Sequence, residues 1–390
     1  MKKTIVIGVT SSIATYKAVQ LVSDLLKLDY DVEVIMSKNA CEFIQPLTFS
    51  SLTKHKTYVD TFDREVDYQV EHISLAKKAD VFMIVPATAN VIAKVAHGIC
   101  DDMLTTTFLA AECPKIIAPA MNTRMLSNPI TQDNLKRCKD YGMQIVEPEN
   151  GLLACGDQGA GKLAKIDDLI EYIDMAAYSE KPLIGKKVLI SAGPTVEKID
   201  PVRYISNHSS GKMGYALARA ARNMGANVTL VSGPVNIKKP NAINVIDISS
   251  AEEMAQTIKA NYDDSDYVIM AAAVADFTPT HMESEKIKKK DAVNSLELKA
   301  SEDILKYLGK HKKHQKLCGF AMETTNVLKH AKDKFKQKNC DLLVVNDLNE
   351  HGAGFKVDTN RVTLIDKHDV QELTLMSKEQ LAYTILNKLI

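Results

Sequence analysis

The chain contains two short, β-branched, apolar runs that each end in small residues and lead into a stretch of helical character. The first covers residues 2–10 and the second covers residues 185–193. A buried strand that ends at a small residue and continues into a helix is how a parallel α/β domain begins. A chain of 390 residues exceeds one ordinary core, since domains of about 150 residues are typical. We therefore predict two α/β domains.

Strand-like and helix-like stretches alternate through both halves, which is typical of parallel sheets built from βαβ units. Further strands are predicted at residues 32–36, 81–85, 115–118, 144–146, 188–191, 227–232, 267–271 and 342–345, with a late pair near 355–357 and 361–365. The charged stretch 283–300 is predicted to leave the sheet. A linker composition around Pro182 places the predicted domains at residues 1–180 and 185–390.

Composition narrows the class of protein. The chain is 45% hydrophobic and 25% charged, as in globular domains without low complexity. Its seven cysteines include no Cys-x-x-Cys pair, which argues against a disulfide framework and favours a reducing cytoplasm. No run approaches the roughly 18 apolar residues of a membrane span. The net charge is zero, so nucleic acid is not an expected partner.

Polar and small residues follow the predicted strands of the first half, where parallel sheets bind ligands. Ser11 follows the first strand, and the segments Pro86–Asn90 and Pro119–Asn122 follow two later ones. Hydroxyls and helix N-terminal amides there can hold a phosphate, although a simple N-cap is the commoner use. Cys155 lies in the glycine-rich stretch 151–161, where a cysteine can be exposed and reactive.

These segments, together with residues 72–76 and 154–156, resemble the flavin-dependent cysteine decarboxylase family over nearly all of residues 1–175. The resemblance implies a flavodoxin-like domain that binds FMN and decarboxylates 4′-phosphopantothenoylcysteine. In that family the flavin oxidises the cysteine side chain to a thioaldehyde, and loss of CO2 then gives an enethiolate. The reduced flavin finally returns a hydride.

The same resemblance implies roles for single residues. His72 would be the active-site histidine, Asn122 would bind the substrate carboxylate, and Cys155 would supply a proton. Taken alone, His72 would more simply cap a helix. Flavin contacts are implied for Ser11, Ser37, Thr88, Ala89 and Asn90. Ser11, Leu126 and Lys162 stand where the family commonly has glycine, tryptophan and arginine.

In the second half, small and hydroxylated residues precede a predicted helix over 215–224 and form a phosphate cradle in physical terms. The segment is not a Walker loop, because Gly211-Lys212 is followed by Met213, and no Gly-x-Gly-x-x-Gly fingerprint is present. It resembles phosphopantothenate–cysteine ligase. The likeness continues through residues 271–277, 286–289, 303–305, 319–324 and 341–346.

That resemblance implies a Rossmann-like domain that joins 4′-phosphopantothenate to L-cysteine through an acyl cytidylate made from CTP. Asn207 would lie at the acyl cytidylate and Lys286 at the later attack by cysteine, although Lys286 alone would read as part of a solvated charged face. Substrate contacts are implied for Arg203, Met270, Ala271, Ala272, Asp276, Lys286, Asp303, Ile304, Phe320, Lys334 and Lys338. Mg2+ would bridge the triphosphate, with no protein ligand implied.

Together the resemblances predict a cytoplasmic bifunctional enzyme, with a decarboxylase in residues 1–180 and a ligase in residues 185–390. They imply homo-oligomers, with decarboxylase trimers and ligase dimers, and small molecules as the other partners. Two alternatives stay open. One is a flavin decarboxylase of peptide cysteines fused to a dehydrogenase-like domain, and the other is a silent regulatory relative that binds a partner protein. Retention of His72, Asn122 and Cys155 disfavours the latter.

Overall fold

A computed structural model describes residues 2–62, 70–153, 156–288, 295–323, 327–347 and 357–390. The chain divides into two compact units, residues 1–179 and 180–390. Each unit contains its own large β-sheet. Among the described residues, no helix is both long enough and apolar enough to cross a membrane.

The first unit is an alternation of strands and helices. Its strands are β1 (Thr4–Val9), β2 (Asp31–Met36), β3 (Thr57–Tyr58), β4 (Val81–Ala87), β5 (Lys115–Pro119), β6 (Gln144–Ile145), β7 (Glu149–Leu152) and β8 (Gln158–Lys162). Its helices are α1 (Thr15–Lys27), α2 (Pro46–Thr53), α3 (Glu71–Lys78), α4 (Ala89–Ala96), α5 (Met103–Ala110), α6 (Thr123–Ser127), α7 (Pro129–Asp140) and α8 (Ile166–Ala177), with a 3-10 helix at Lys38–Glu42.

Six of these strands form a parallel sheet in the order β3-β2-β1-β4-β5-β6, and β7 pairs with β8 in a separate antiparallel hairpin. Without the two-residue β3, the order is that of a flavodoxin-like sheet, which confirms the predicted fold. Every residue of β1 is buried, because helices cover both faces. Ile5 and Ile7 pack on one face and Val6 on the other.

The second unit has a longer sheet. Its strands are β9 (Lys187–Ala192), β10 (Val196–Lys198), β11 (Tyr204–Ser206), β12 (Asn227–Ser232), β13 (Asn244–Asp247), β14 (Tyr267–Met270), β15 (Phe277–Pro279), β16 (Leu298–Ala300), β17 (Lys316–Glu323), β18 (Leu342–Asp347), β19 (Thr359–Asn360), β20 (Val362–Ile365), β21 (Val370–Glu372) and β22 (Met376–Ser377). Its helices are α9 (Lys212–Asn223), α10 (Ala251–Tyr262), α11 (Ile304–His311), α12 (Val327–Gln337) and α13 (Lys378–Leu389).

The main sheet has the order β13-β12-β9-β14-β17-β18-β20-β21. The first six strands are parallel and follow the Rossmann order, as predicted, whereas β20 and β21 add an antiparallel edge. The predicted strand at 355–357 falls mostly outside the described residues, and β20 pairs with β21 instead. Within the predicted excursion, β16 pairs with β15 away from the main sheet, and residues 289–294 lie outside the description.

Candidate active sites

The residues predicted to bind flavin lie at one edge of the first sheet. Ser11 follows β1, Ser37 follows β2, and residues 88–90 follow β4. Because the strands are parallel, their carboxyl ends meet at the same edge. Thr10 joins two of these ends, since its hydroxyl donates to the Pro86 carbonyl oxygen at 2.7 Å and accepts the Thr88 N–H at 3.2 Å. The structure therefore brings the predicted set together.

Ser37 carries an unused hydroxyl at this edge. Its N–H donates to the Val9 carbonyl oxygen at 2.9 Å, which holds the residue beside the end of β1. Its Oγ is buried and has no hydrogen-bond partner in the described part of the chain. Leaving a buried polar atom unsatisfied costs about 1–3 kcal/mol, and a polar ligand would recover that cost. The residues present therefore fit a bound flavin.

Asn122 lies after β5 at the same edge, and its side-chain amide is hydrogen-bonded through both of its polar atoms. Its Oδ1 accepts the Arg124 N–H at 2.8 Å, which caps α6, and its Nδ2 donates to Asp157 Oδ2 at 3.0 Å. Asn122 also lines a cavity of about 390 Å³ together with Ser12 and Leu153, a volume in the range of small-ligand sites. Asp157 belongs to the predicted reactive loop, but Cys155 itself lies outside the described residues.

His72 is not among the residues that line this cavity. It is partly buried in the first turn of α3. Since α3 leads back to the start of β4, its first turn lies toward the carboxyl-terminal edge of the sheet. The segment before it, residues 63–69, is outside the description. A role for His72 therefore stays a prediction.

The second unit has a cavity of about 300 Å³ at the carboxyl ends of β9, β14 and β17. Five of the predicted residues line it, namely Asn207, Ala271, Ala272, Asp276 and Phe320. The loop 209–211 and the first turn of α9 also line it. The helix begins at Lys212, three residues before the predicted start. Its N-terminal amides therefore face the cavity, as a phosphate cradle requires.

Glycine lets α9 approach the sheet. A Cβ added to Gly214 would lie 2.5 Å from Ala192 Cβ and 3.0 Å from the Ser191 carbonyl oxygen. Gly211, which precedes α9, has φ +77°, a left-handed conformation that glycine adopts readily. The spacing of these two glycines thus positions the helix terminus over the end of β9.

Asn207 is held above the loop that follows β14. Its Nδ2 donates to the carbonyl oxygens of Ala273 at 3.1 Å and Val274 at 3.3 Å. The same loop is fixed from below, because Ser191 Oγ accepts the Ala272 N–H at 3.1 Å. Backbone and side chain therefore fix the position of Asn207 in the cavity wall.

Arg203 and Lys286 belong to a neighbouring cluster centred on the buried carboxylate of Asp200. That carboxylate accepts the Val202 and Arg203 N–H groups at 2.7 Å each and the Ile287 N–H at 3.3 Å, and the Arg203 guanidinium lies 2.8 Å away. Burial opposes ionisation, but these donors together hold the pKa of Asp200 below its usual range. Asp200 therefore fastens the exposed segment that carries Lys286.

Among the other predicted ligase residues, Asp303, Lys334 and Lys338 are polar. Asp303 caps α11 by accepting the Lys306 N–H at 2.9 Å and forms an ion pair with Lys338. Burial opposes ionisation of Asp303, yet the Lys338 hydrogen bond keeps its pKa low. The Ser301 N–H donates to the Asp276 carbonyl oxygen at 2.8 Å, which joins this group to the cavity. Lys334 is partly buried in α12.

Met270 and Ile304 lie in the core of the second unit. Both side chains are buried in the same hydrophobic cluster, and neither lines the cavity. Any substrate contact at these two positions would therefore involve their backbone atoms.

Two lysines that the sequence analysis missed also line the second cavity, Lys212 and Lys378. Lys212 Nζ lies 2.6 Å from Asp358 Oδ1, and Lys378 Nζ donates to the Val357 carbonyl oxygen at 2.5 Å. Burial and the nearby Lys212 charge lower the pKa of Lys378. The Ser377–Gln380 capping box is a sequence signal for the start of α13, but no local pattern places that start beside α9.

Among the described residues, the one cluster of three candidate metal ligands is Asp31, Glu33 and His55. Lys78 Nζ already lies 2.6 Å from Glu33 and 3.0 Å from Asp31. In the second cavity, Asp276 is the acidic residue among those that line it. Mg2+ commonly uses one or two carboxylates plus substrate phosphates, so Asp276 fits such a site.

Family models match both halves of the chain. The Flavoprotein model covers residues 1–178, and the model of the DNA/pantothenate metabolism flavoprotein C-terminal domain covers residues 183–390. The coenzyme A biosynthesis bifunctional protein CoaBC of Bacillus subtilis (strain 168) is 46% identical over 392 residues, which span 99% of this chain and 96% of that protein. The chain belongs to the coenzyme A biosynthesis bifunctional protein family.

Other relatives show how wide the similarity is. A second bifunctional coenzyme A biosynthesis protein, from Borreliella burgdorferi, is 42% identical over 388 residues, 98% of each chain. A protein named cysteine/cysteine sulfinic acid decarboxylase, from an unknown prokaryotic organism, is 46% identical over 354 residues, 89% of this chain and 99% of that one. Membership in the bifunctional family supports the predicted enzyme over a peptide-cysteine decarboxylase or a silent regulatory relative.

Proposed function

We propose that the second unit ligates 4′-phosphopantothenate to L-cysteine with CTP, and that the first unit decarboxylates the product to 4′-phosphopantetheine. The observation that carries the proposal is full-length similarity to bifunctional coenzyme A biosynthesis proteins. It is supported by a cavity lined by Asn122 in the first unit and a cavity lined by Asn207 in the second. We assign the decarboxylase to residues 1–180 and the ligase to residues 185–390.

For decarboxylation, Ser11, Ser37, Thr88, Ala89 and Asn90 would hold FMN. When bound, the flavin supplies the electron sink that loss of CO2 requires. Asn122 would orient the departing carboxylate through its amide, since hydrogen bonds with Arg124 and Asp157 already fix the side chain. Leu152, Leu153 and Leu163 give the cavity an apolar wall. Cys155 would deliver a proton from Sγ, and His72 would complete the site.

For ligation, the first turn of α9 and the Ser209 and Ser210 hydroxyls would bind phosphate groups at the cavity wall. Asn207 would hold the activated carboxyl group, and Asp276 would bind Mg2+, which neutralises phosphate charge. Lys286 would act in the step in which cysteine attacks the activated carboxyl group. It lies on the segment that the hydrogen bond from the Ile287 N–H to Asp200 holds in place. The remaining implied contacts would position CTP and phosphopantothenate. They come from the side chains of Arg203, Phe320, Asp303, Lys334 and Lys338 and from the backbones of Met270 to Ala272 and Ile304.

The decisive experiment supplies the purified, FMN-loaded protein with 4′-phosphopantothenate, L-cysteine, CTP and Mg2+, and follows the products by mass spectrometry. We expect 4′-phosphopantetheine from the unchanged protein and accumulation of 4′-phosphopantothenoylcysteine from Cys155→Ser. One relative is named cysteine/cysteine sulfinic acid decarboxylase, so a second reaction supplies cysteine alone. We expect this reaction to release no cysteamine. Release of cysteamine, with no phosphopantetheine formed, would refute the proposal.

We also propose a cytoplasmic location and homo-oligomeric assembly, with trimers through the decarboxylase unit and dimers through the ligase unit. These follow from the family resemblance alone. Sedimentation velocity of the intact protein measures the assembly, and a monomer at micromolar concentration would contradict it.

A further inference from the structure

The charged side chains that line the cavity beside Asn122 are all positive. Among the described residues that line it, Lys17 and Lys162 are the charged side chains, and no acidic residue lines it. The rest of the lining is apolar apart from Ser12, Tyr16 and Asn122. The chemistry proposed above at Asn122 and Cys155 uses neither lysine.

The two lysines approach the cavity from different elements. Lys17 lies in the first turn of α1, which contains no acidic residue, and its Nζ donates to the Leu163 carbonyl oxygen at 3.4 Å. Lys162 ends β8 and is exposed. The nearby carboxylate of Glu149 pairs with Lys165 at 3.6 Å, so within the described chain neither Lys17 nor Lys162 has an ion-pair partner.

This arrangement concentrates positive charge. A lysine in the first turn of a helix adds to the positive end of the helix dipole. Burial lowers the pKa of Lys17, and the Lys162 charge lowers it further, while Glu149 acts in the opposite direction. Two cations that repel each other at the wall of a cavity are stabilised when an anion binds between them.

We propose that Lys17 and Lys162 form a phosphate subsite that makes decarboxylation selective for a phosphorylated substrate. The inference rests on the proposed decarboxylase function and names the residues that would bind the phosphate of its substrate. A phosphate monoester carries a charge of about −1.5 to −2 at pH 7, which two ammonium groups match. Asn122 lies on the same cavity and binds the carboxylate end. Free cysteine has no phosphate, so it leaves both lysines unpaired.

The test compares CO2 release from 4′-phosphopantothenoylcysteine and from its dephosphorylated analogue by the intact, FMN-loaded protein. Each of Lys17→Gln and Lys162→Gln should lower kcat/KM for the phosphorylated substrate about tenfold or more, because a charged hydrogen bond contributes about 1.5–3 kcal/mol. The loss should appear mainly in KM. With the analogue, kcat/KM should stay within about twofold, since the changed contact is absent.

Lys27→Gln is the matched control, because Lys27 lies at the other end of α1, is exposed and pairs with Asp24. It should leave both substrates unaffected, and Lys17→Arg should restore most of the selectivity. An unchanged ratio between the two substrates in the Lys17→Gln and Lys162→Gln variants would overturn the proposal.

The two lysines could instead bind the phosphate of FMN. Flavin absorbance tests this, because it shows whether the variants still hold FMN. Loss of flavin together with an unchanged substrate ratio would assign the lysines to the cofactor and defeat the inference. Failure of the unchanged protein to decarboxylate either compound would instead refute the proposed function, and the subsite would fall with it.

Discussion

At the scale of single residues, Asn122 combines a structural and a chemical role. It caps α6 through Oδ1 and holds Asp157 through Nδ2. We predict that Asn122→Ala lowers decarboxylation about a hundredfold or more, the effect of removing one positioned amide from an active site. Ligation should continue, because the second cavity is lined by residues of its own unit. Product analysis by mass spectrometry measures both steps.

Asn128 provides the control for the capping role. Its Oδ1 accepts the Ile130 N–H at 3.0 Å and caps α7, so Asn128→Ala also removes a cap, at about 1 kcal/mol. We expect the two variants to lose similar stability but only Asn122→Ala to lose decarboxylation. Equal losses of activity would show that capping, and not catalysis, explains the Asn122 effect.

Asp200 makes the stability of the second unit dependent on pH. Its pKa in the folded protein is lowered from an unfolded value of about 4, so its contribution is present above about pH 4. That contribution is lost as the pH falls through the folded-state pKa. We predict a shallower acid-side loss of unfolding free energy in Asp200→Asn than in the unchanged protein, measured by denaturant titration between neutral and acid pH.

The exposed Asp264, whose carboxylate lies 3.6 Å from Lys187, offers the comparison for that measurement. Asp264→Asn should retain the acid-side slope of the unchanged protein. The same titration would count against the role of Asp200 if both variants kept that slope. A separate readout is ligation, which should weaken in Asp200→Asn because the Ile287 N–H loses a carboxylate acceptor.

The family resemblance located site residues that lie far apart in the sequence. It implied Asn207, Asp276 and Phe320, and all three line the second cavity, which lies where the carboxyl ends of the parallel strands β14 and β17 meet. Lys378 was missed for a physical reason. It follows Asn207 by more than 150 positions and reaches the cavity only because α13 packs beside α9, a contact that no local pattern encodes.

At the scale of elements, the contact between α9 and β9 depends on Gly214. We predict that Gly214→Ala destabilises the second unit by about 1–3 kcal/mol, the usual effect of overpacking, even though alanine favours helix. Ligation should fall as well, because the first turn of α9 lines the cavity. Thermal unfolding and the ligation rate are the measurements.

Ala192→Gly tests the origin of that effect, since Ala192 Cβ is the atom nearest to the added methyl group. The double variant should regain part of the stability lost in Gly214→Ala, giving a coupling energy in a double-mutant cycle. Additive losses would place the cause elsewhere in the helix.

Element prediction succeeded where hydrophobic runs are continuous. Strand β12 has its predicted bounds, because a short, continuous apolar run with β-branched residues is a distinct strand signal. Strand β20 was predicted at 361–365, but β21 and the antiparallel edge that the two strands form were missed. The pairing of this edge with β18 depends on register across the sheet, and register is set by tertiary packing as well as by sequence. Helix α10 had a usable signal in its Ser250–Glu253 capping box.

At the scale of the whole molecule, each unit has its own hydrophobic core. We predict that residues 1–180 and 185–390, expressed as separate chains, fold independently. The first should retain flavin and decarboxylate 4′-phosphopantothenoylcysteine, and the second should make that compound. Far-ultraviolet circular dichroism, flavin absorbance and product analysis test this. An unfolded fragment would show that the unit needs the rest of the chain.

The division into two compact units within one polypeptide also fixes a ratio. Every translated copy delivers one centre of each kind, so a cell cannot raise the number of one without the other. Throughput is then set by the slower centre. Selection on the faster active centre relaxes once its rate exceeds that of the slower centre. Substitutions that raise the overall rate should therefore accumulate around the cavity of the slower centre.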